Sequence, residues 1–168
     1  TVLHRIGLGY DIPGLLLGGL IILLVGLWDD IRDLKPLAKL IGQILAALVA
    51  IRLGVKIEFI TNPFGSGMIY LGFWGIPLTV LWIVGMVNIV NFLDGLDGLA
   101  AGVSIIAAFA LFAVASSRGQ VLASMLAVAL ARSALGFLPD NVNPATIVKG
   151  DAGAMLLGFA LAVISVEG

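Results

Sequence analysis

VNIVNFLDGLDGLAAG, residues Val87–Gly102, closes a long apolar run with two asparagines and two aspartates. Asn88, Asn91 and Asp94 recur every third residue, so on a helix they share one arc of about 120°. An ionised side chain at bilayer depth costs roughly 2.5–3.5 kcal/mol on insertion scales, so such groups persist where they face a polar cavity, an ion or a partner. The stretch alone allows two readings. Either the asparagines join helices by hydrogen bonds while the aspartates sit in a wet turn, or the arc lines a polar site. Gly95, Gly98 and Gly102 fit both, because small residues permit close helix packing and close approach of backbone to a phosphate.

Composition places the stretch in a membrane. The chain has 168 residues, 61% hydrophobic and 11% charged, with a mean hydropathy of +1.17. Soluble domains carry about 25% charged residues, so this is an all-α polytopic membrane protein in contact with the lipid bilayer. A net charge of −1 without a basic patch excludes a nucleic-acid partner. Cysteine is absent, which removes disulfides and thiolate metal sites. A start at Thr1, an end at Gly168 directly after an apolar segment, and no signal-peptide pattern lead us to expect a piece of a longer protein.

Six segments are apolar enough to span: Ile12–Trp28, Pro36–Leu53, Gly75–Phe92, Leu99–Ala115, Gln120–Leu138 and Ala152–Val166. Residues 1–168 therefore read as a single transmembrane domain. Between Gly54 and Trp74, Val55, Ile57 and Phe59 alternate with Lys56 and Glu58, and TNPFGSG offers a turn before MIYLGF. This predicts a small extracytoplasmic hairpin capping the helix ends. Alternation of connections puts Asp29–Lys35, Asp94–Gly98 and Pro139–Asp151 on one side. Those connections hold seven of the ten acidic residues, which makes that side the candidate active face. The basic residues divide almost evenly: Arg32, Lys35, Lys39 and Lys149 lie on or near the acidic face, with Arg132 expected to be buried a turn or two away. This weakly favours a cytoplasmic acidic face.

Three constellations on that face could carry chemistry. Asp29 and Asp30 are adjacent carboxylates at a membrane exit, suited to a general base or a magnesium-linked network, or simply to a solvated turn. Lys39 and Gln43 lie one turn apart, suited to holding a diphosphate, although a lysine there could equally snorkel. Asn141, Asn143, Pro144 and Asp151 precede the last apolar segment, where Asp151 would meet free N–H groups as an anion site's neighbour or as a plain helix cap. Together the clusters point to phosphoryl transfer at a membrane surface, with aspartates and an asparagine carbonyl around Mg²⁺ and a lysine on phosphate.

GLWDD, Lys39-x-x-x-Gln43, NIVNFLDGLDGLAAG and GFLPDNVNPATIVKGDAG occur in the order seen in the polyprenyl-phosphate N-acetylhexosamine-1-phosphate transferases, and the chain resembles that family over nearly its whole length. The N-x-N-P-A pattern is more similar to the GlcNAc-1-phosphate group than to the phospho-MurNAc-pentapeptide transferases, which stay the alternative. The resemblance implies transfer of a sugar-1-phosphate from a UDP-sugar to undecaprenyl phosphate, with release of UMP, at the cytoplasmic face of the inner (plasma) membrane. It implies Mg²⁺, with Mn²⁺ as a substitute, held by Asn91 and Asp151. Asp29, Asp30 and Asp94 would be catalytic, as base or nucleophile, while Lys39, Asn88, Asp97 and Asn143 would bind substrate. A homodimer is among the assemblies such a chain could form.

The chain also departs from the family. It resembles only about the third to the eighth of ten or eleven helices, and its one histidine, His4, stands far from the family's histidine-rich loop. Ala154 stands where a serine is common, and Lys149 replaces a usual methionine, where it could add a phosphate contact. An inactive membrane remnant or scaffold is a further reading. A phosphatidyltransferase would need Ala-Arg after its Asp-Gly, where Leu96-Asp97 stand instead. An aspartyl protease dyad would need Asp11 beside Asp151, on the opposite side. An ion transporter would place acids at mid-helix.

Overall fold

The computed structural model describes residues 11–63, 65–142 and 149–168. Helix α1 (Asp11–Arg32) leads to α2 (Pro36–Arg52), where Pro36 occupies the first position and gives up an N–H that has no intrahelical partner. Strands β1 (Phe59–Thr61) and β2 (Met68–Tyr70) follow, then a 3₁₀ turn (Gly72–Trp74), α3 (Gly75–Leu93), α4 (Leu99–Ser117), α5 (Val121–Asn141) and α6 (Gly150–Glu167). Helices occupy all six predicted places. All but α2 are long and apolar enough to cross a membrane by length and composition, and α2 has 17 residues. In hydrocarbon every backbone N–H and C=O must be satisfied within the segment, which the helix does.

The helix ends differ from expectation in a way that matters for the site. The predicted turn Asp29–Lys35 is helical as far as Arg32, so Asp29 and Asp30 stand on the last turn of α1. Asp33 then breaks the helix with φ 46°. Likewise α5 runs through Pro139 to Asn141, because a proline in the last turn loses one hydrogen bond and the helix ends soon after.

Helix α6 is the centre of the fold. Its buried residues include Ala152, Met155, Gly158, Phe159 and Ala162, and it packs along α1 and α3 and more lightly on α4 and α5. Phe159 and Met155 join Ile22, Ala46, Ile83 and Val87 in the main apolar cluster. The close approach relies on glycine. A Cβ on Gly26 would collide with the backbone of Ala152, and one on Gly158 would stand 2.7 Å from Val87 Cα. In lipid, where apolar burial gives helices no mutual attraction, such small-residue contacts supply the packing. Helices α4 and α5 form a second pair through Ala100, Ala108 and Ala131.

The hairpin is smaller than predicted. Its strands pair antiparallel, Phe59 with Tyr70 and Thr61 with Met68, and their side chains are exposed. Val55 is not a strand residue; it is fully buried against the helix ends. The backbone N–H of Ile57 donates to Thr79 Oγ1 at 2.9 Å, which ties the hairpin to the start of α3. A cavity of about 710 Å³ lies here, lined by Lys56, Phe59, Trp82 and Arg118, and the acidic residues of the opposite surface take no part in it. Arg132, expected to be buried, is exposed beside the α4–α5 groove.

Replacing Gly158 by valine should lower stability by about 1–3 kcal/mol through overpacking. Gly136→Val, where nothing lies within 4 Å of the added carbon, should cost far less. Unfolding of both variants in mixed micelles compares the two, and equal losses would refute the close-approach account.

Candidate active site

Six helix termini meet at the acidic surface: the ends of α1, α3 and α5 and the starts of α2, α4 and α6. Lys39, in the first turns of α2, reaches across this junction. Its Nζ lies 2.6 Å from Asp29 Oδ2 and 2.9 Å from Asp151 Oδ2, and it donates to Asn91 Oδ1 at 3.2 Å. The Asn91 amide N–H donates in turn to Asp151 Oδ1. Asp29 Oδ1 accepts from the backbone N–H of Leu34 at 2.9 Å, which closes the bend between α1 and α2. The Asp29 side chain is 7% exposed and that of Asp151 38%, so the cluster is closed on the α1 side and open at α6.

Asp30 points elsewhere. Successive residues on a helix lie 100° apart and do not face each other, so the adjacent aspartates point in different directions. Asp30 Oδ1 accepts from the Asp151 N–H at 2.7 Å and Oδ2 from the Ala152 N–H at 3.2 Å. This carboxylate of α1 therefore caps the N-terminus of α6, where free N–H groups and the helix dipole favour an anion. Asp151, read from sequence as a possible cap, leaves that role to Asp30 and turns its side chain to Lys39 and Asn91. Gly150 makes the cap possible: its φ is +65°, and a Cβ there would stand 2.7 Å from Asp30 Oδ2.

The arc of α3 is divided among three partners. Asn91 joins the Lys39 cluster. One turn deeper, Asn88 exchanges hydrogen bonds with Gln43, donating to Oε1 at 2.6 Å and accepting from Nε2 at 3.3 Å. Gln43, read from sequence beside Lys39 as suited to a diphosphate, is fully buried in this pairing and links α2 to α3. Asp94, at the end of α3, forms an ion pair with Lys149. The Lys149 ammonium also lies 5.5 Å from the centre of the Phe137 ring. In this structure the Lys149 ammonium, which the sequence suggested as a phosphate contact, meets the Asp94 carboxylate. Asp97 is exposed in the turn before α4, and the adjacent Gly98 N–H donates to Asn141 Oδ1 at 3.2 Å. Asn143 lies outside the described residues.

Residues 12–168 match the glycosyl transferase family 4 profile. The chain belongs to that family. It is 40% identical over 151 residues to a probable undecaprenyl-phosphate N-acetylglucosaminyl 1-phosphate transferase of Bacillus subtilis, covering 90% of this chain and 42% of that protein. It is 43% identical over 163 residues to a decaprenyl-phosphate N-acetylglucosaminephosphotransferase of Mycobacterium leprae, covering 91% and 41%. A phospho-N-acetylmuramoyl-pentapeptide-transferase of Lactiplantibacillus plantarum is 36% identical over 153 residues, covering 84% and 47%. The chain thus spans less than half the length of these relatives.

Because the side chains of Lys149 and Asp94 are 8% and 12% exposed, removing one partner strands the other. Lys149→Met and Asp94→Asn should each destabilise the protein, and the double variant should lose less than their sum, with a coupling of about 1–3 kcal/mol. A double-mutant cycle on unfolding free energies measures it, and strict additivity would remove the pair from the account.

Proposed function

We propose that the protein moves an N-acetylhexosamine-1-phosphate, foremost GlcNAc-1-phosphate, from a UDP-sugar to undecaprenyl phosphate, releasing UMP at the cytoplasmic face of the plasma membrane. The observation that carries this reading is the convergence of Lys39, Asp29, Asn91 and Asp151 at one membrane surface, in a chain whose relatives bear such names. In the proposed reaction an oxygen of the lipid phosphate attacks the β-phosphorus of the nucleotide sugar. The bond from that phosphorus to the UMP oxygen breaks, and the sugar phosphate stays with the lipid.

The donor set suits Mg²⁺. Two carboxylates and one amide carbonyl, all oxygen, surround one cationic group, and Mg²⁺ is usually held by one or two carboxylates plus substrate phosphates. Among the described residues no three His, Cys, Asp or Glu side chains gather for a metal, so phosphate oxygens and water would complete the shell. Asp151 and Asn91 would hold the ion. When bound, it would offset negative charge on the diphosphate as the bond breaks.

The protein groups then divide the remaining work. Lys39 supplies a cation for phosphate oxygens, and Asp29 and the Leu34 N–H fix where its stem points. Asp30 holds the first turn of α6, and with it Asp151, in place. A phosphate monoester has its second pKa near 6 and is mostly a dianion at neutral pH, so the attacking oxygen needs no dedicated base. This favours positioning roles for Asp29 and Asp30 over proton abstraction or covalent attack.

The assay is release of UMP from UDP-GlcNAc by the full-length protein with undecaprenyl phosphate and Mg²⁺. Asp151→Ala and Asn91→Ala should each lower turnover about 100-fold or more, and full activity in either would sink the assignment. UDP-MurNAc-pentapeptide in a parallel reaction decides between the two sugar donors.

A further inference from the structure

The Lys39 ammonium occupies the point on which the protein's own oxygens converge. Asp29 Oδ2, Asp151 Oδ2 and Asn91 Oδ1 approach it at 2.6, 2.9 and 3.2 Å from three different helices. A lysine ammonium has three N–H donors and no acceptor, so each donor has one oxygen. Two of the three oxygen-bearing residues are those assigned above to the divalent ion. We infer that Lys39 and the divalent ion compete for the same oxygens, so that binding of the ion drives the ammonium out of the cluster. The inference rests on the reading of Asn91 and Asp151 as the ion's ligands.

Charge balance supports the exchange. Asp29 and Asp151 bring two negative charges to the cluster, and Lys39 returns one. Two charged groups of the same face are engaged elsewhere: Asp94 with Lys149, and Asp30 with the N–H groups of α6. A dication added beside the ammonium would put two cations in contact and leave the cluster positive. A dication in place of the ammonium leaves it neutral. Reach supports it as well. Lysine carries its charge on a flexible four-carbon stem, and the cluster is open on the Asp151 side. The ammonium can therefore swing outward while α2 stays fixed. Swung outward, it meets a phosphate arriving from that side, so loading of the ion and readiness for the anionic substrate become one event.

Mn²⁺ binding to the purified full-length protein in lipid nanodiscs, followed by electron paramagnetic resonance, tests the exchange without any turnover. Lys39→Met should bind Mn²⁺ about tenfold more tightly than wild type. Unchanged or weaker binding in this variant, with wild-type binding intact, overturns the competition and leaves the ligand assignment standing. Failure of wild type to bind Mn²⁺, or undiminished binding by Asp151→Asn, removes the ligand assignment and the inference together. Wild-type protein offers a second measurement that needs no variant. Mg²⁺ should raise labelling of Lys39 by an amine-reactive reagent several-fold in mass spectrometry, and unchanged or reduced labelling overturns the inference.

Discussion

The Lys39 ammonium binds α2 to Asp29 of α1, Asn91 of α3 and Asp151 of α6, and that single contact requires four helices to present their ends at one level. A charge removed from water without its partner costs about 3–5 kcal/mol, so misalignment of any one helix leaves a charge or an amide stranded. The close helix crossings serve this requirement. Gly26 brings α1 against the start of α6 at Ala152, one residue from Asp151. Gly158 brings the middle of α6 against α3 at Val87, one turn below Asn91. Packing deep in the bilayer and polar contacts at its surface therefore fix the same helix arrangement.

The adjacent aspartates show how one sequence feature serves two ends. The 100° step between neighbours on a helix sends Asp29 toward a cation and Asp30 toward a helix N-terminus. Each carboxylate meets positive charge, one a full ammonium and the other the partial charge of unpaired N–H groups. The divergence also eases the repulsion that two neighbouring carboxylates exert on each other. Placing Asp151 in the first turn of a capped helix has a similar logic. Its backbone N–H is engaged by Asp30, which fixes the turn, while its side chain turns inward to Lys39 and Asn91.

Much of this was legible in the sequence, because helices in lipid announce themselves by length and hydropathy, and connection parity sorts acidic residues by side. The sequence singles out Asn91, Lys39, Asp29 and Asp151, and they meet. What the sequence did not reveal is which polar group faces which. Asn88 and Asn91 look equivalent on one arc, yet one turn of depth commits Asn88 to Gln43 and Asn91 to Asp151. The extension of α1 to Arg32 is not legible in hydropathy, because charged residues mark the end of an apolar span, whereas a helix can continue past the hydrocarbon until a residue such as Asp33 adopts positive φ. Asp30 as a cap for α6 joins residues 121 positions apart, beyond the reach of any local signal.

Lys149 carries the argument about charge one step further. Its stem lies against Gly153, where a Cβ would meet Lys149 Cβ at 2.8 Å, and its ammonium lies near Phe137 and Asp94. A lysine stem is unbranched and flexible, as a methionine is, so it fills the same kind of space while adding a charged tip. That tip neutralises a carboxylate on the surface proposed to receive a diphosphate. An unpaired Asp94 there would repel the anion through a medium of low dielectric constant, where charges at a few ångströms interact far more strongly than in water. Paired, it anchors the end of α3 to the start of α6, the two elements that carry Asn91 and Asp151. Lys149 thus joins packing to electrostatics: its stem lies against Gly153, and its tip offsets a repulsive charge and ties together the helices that bear the proposed ligands.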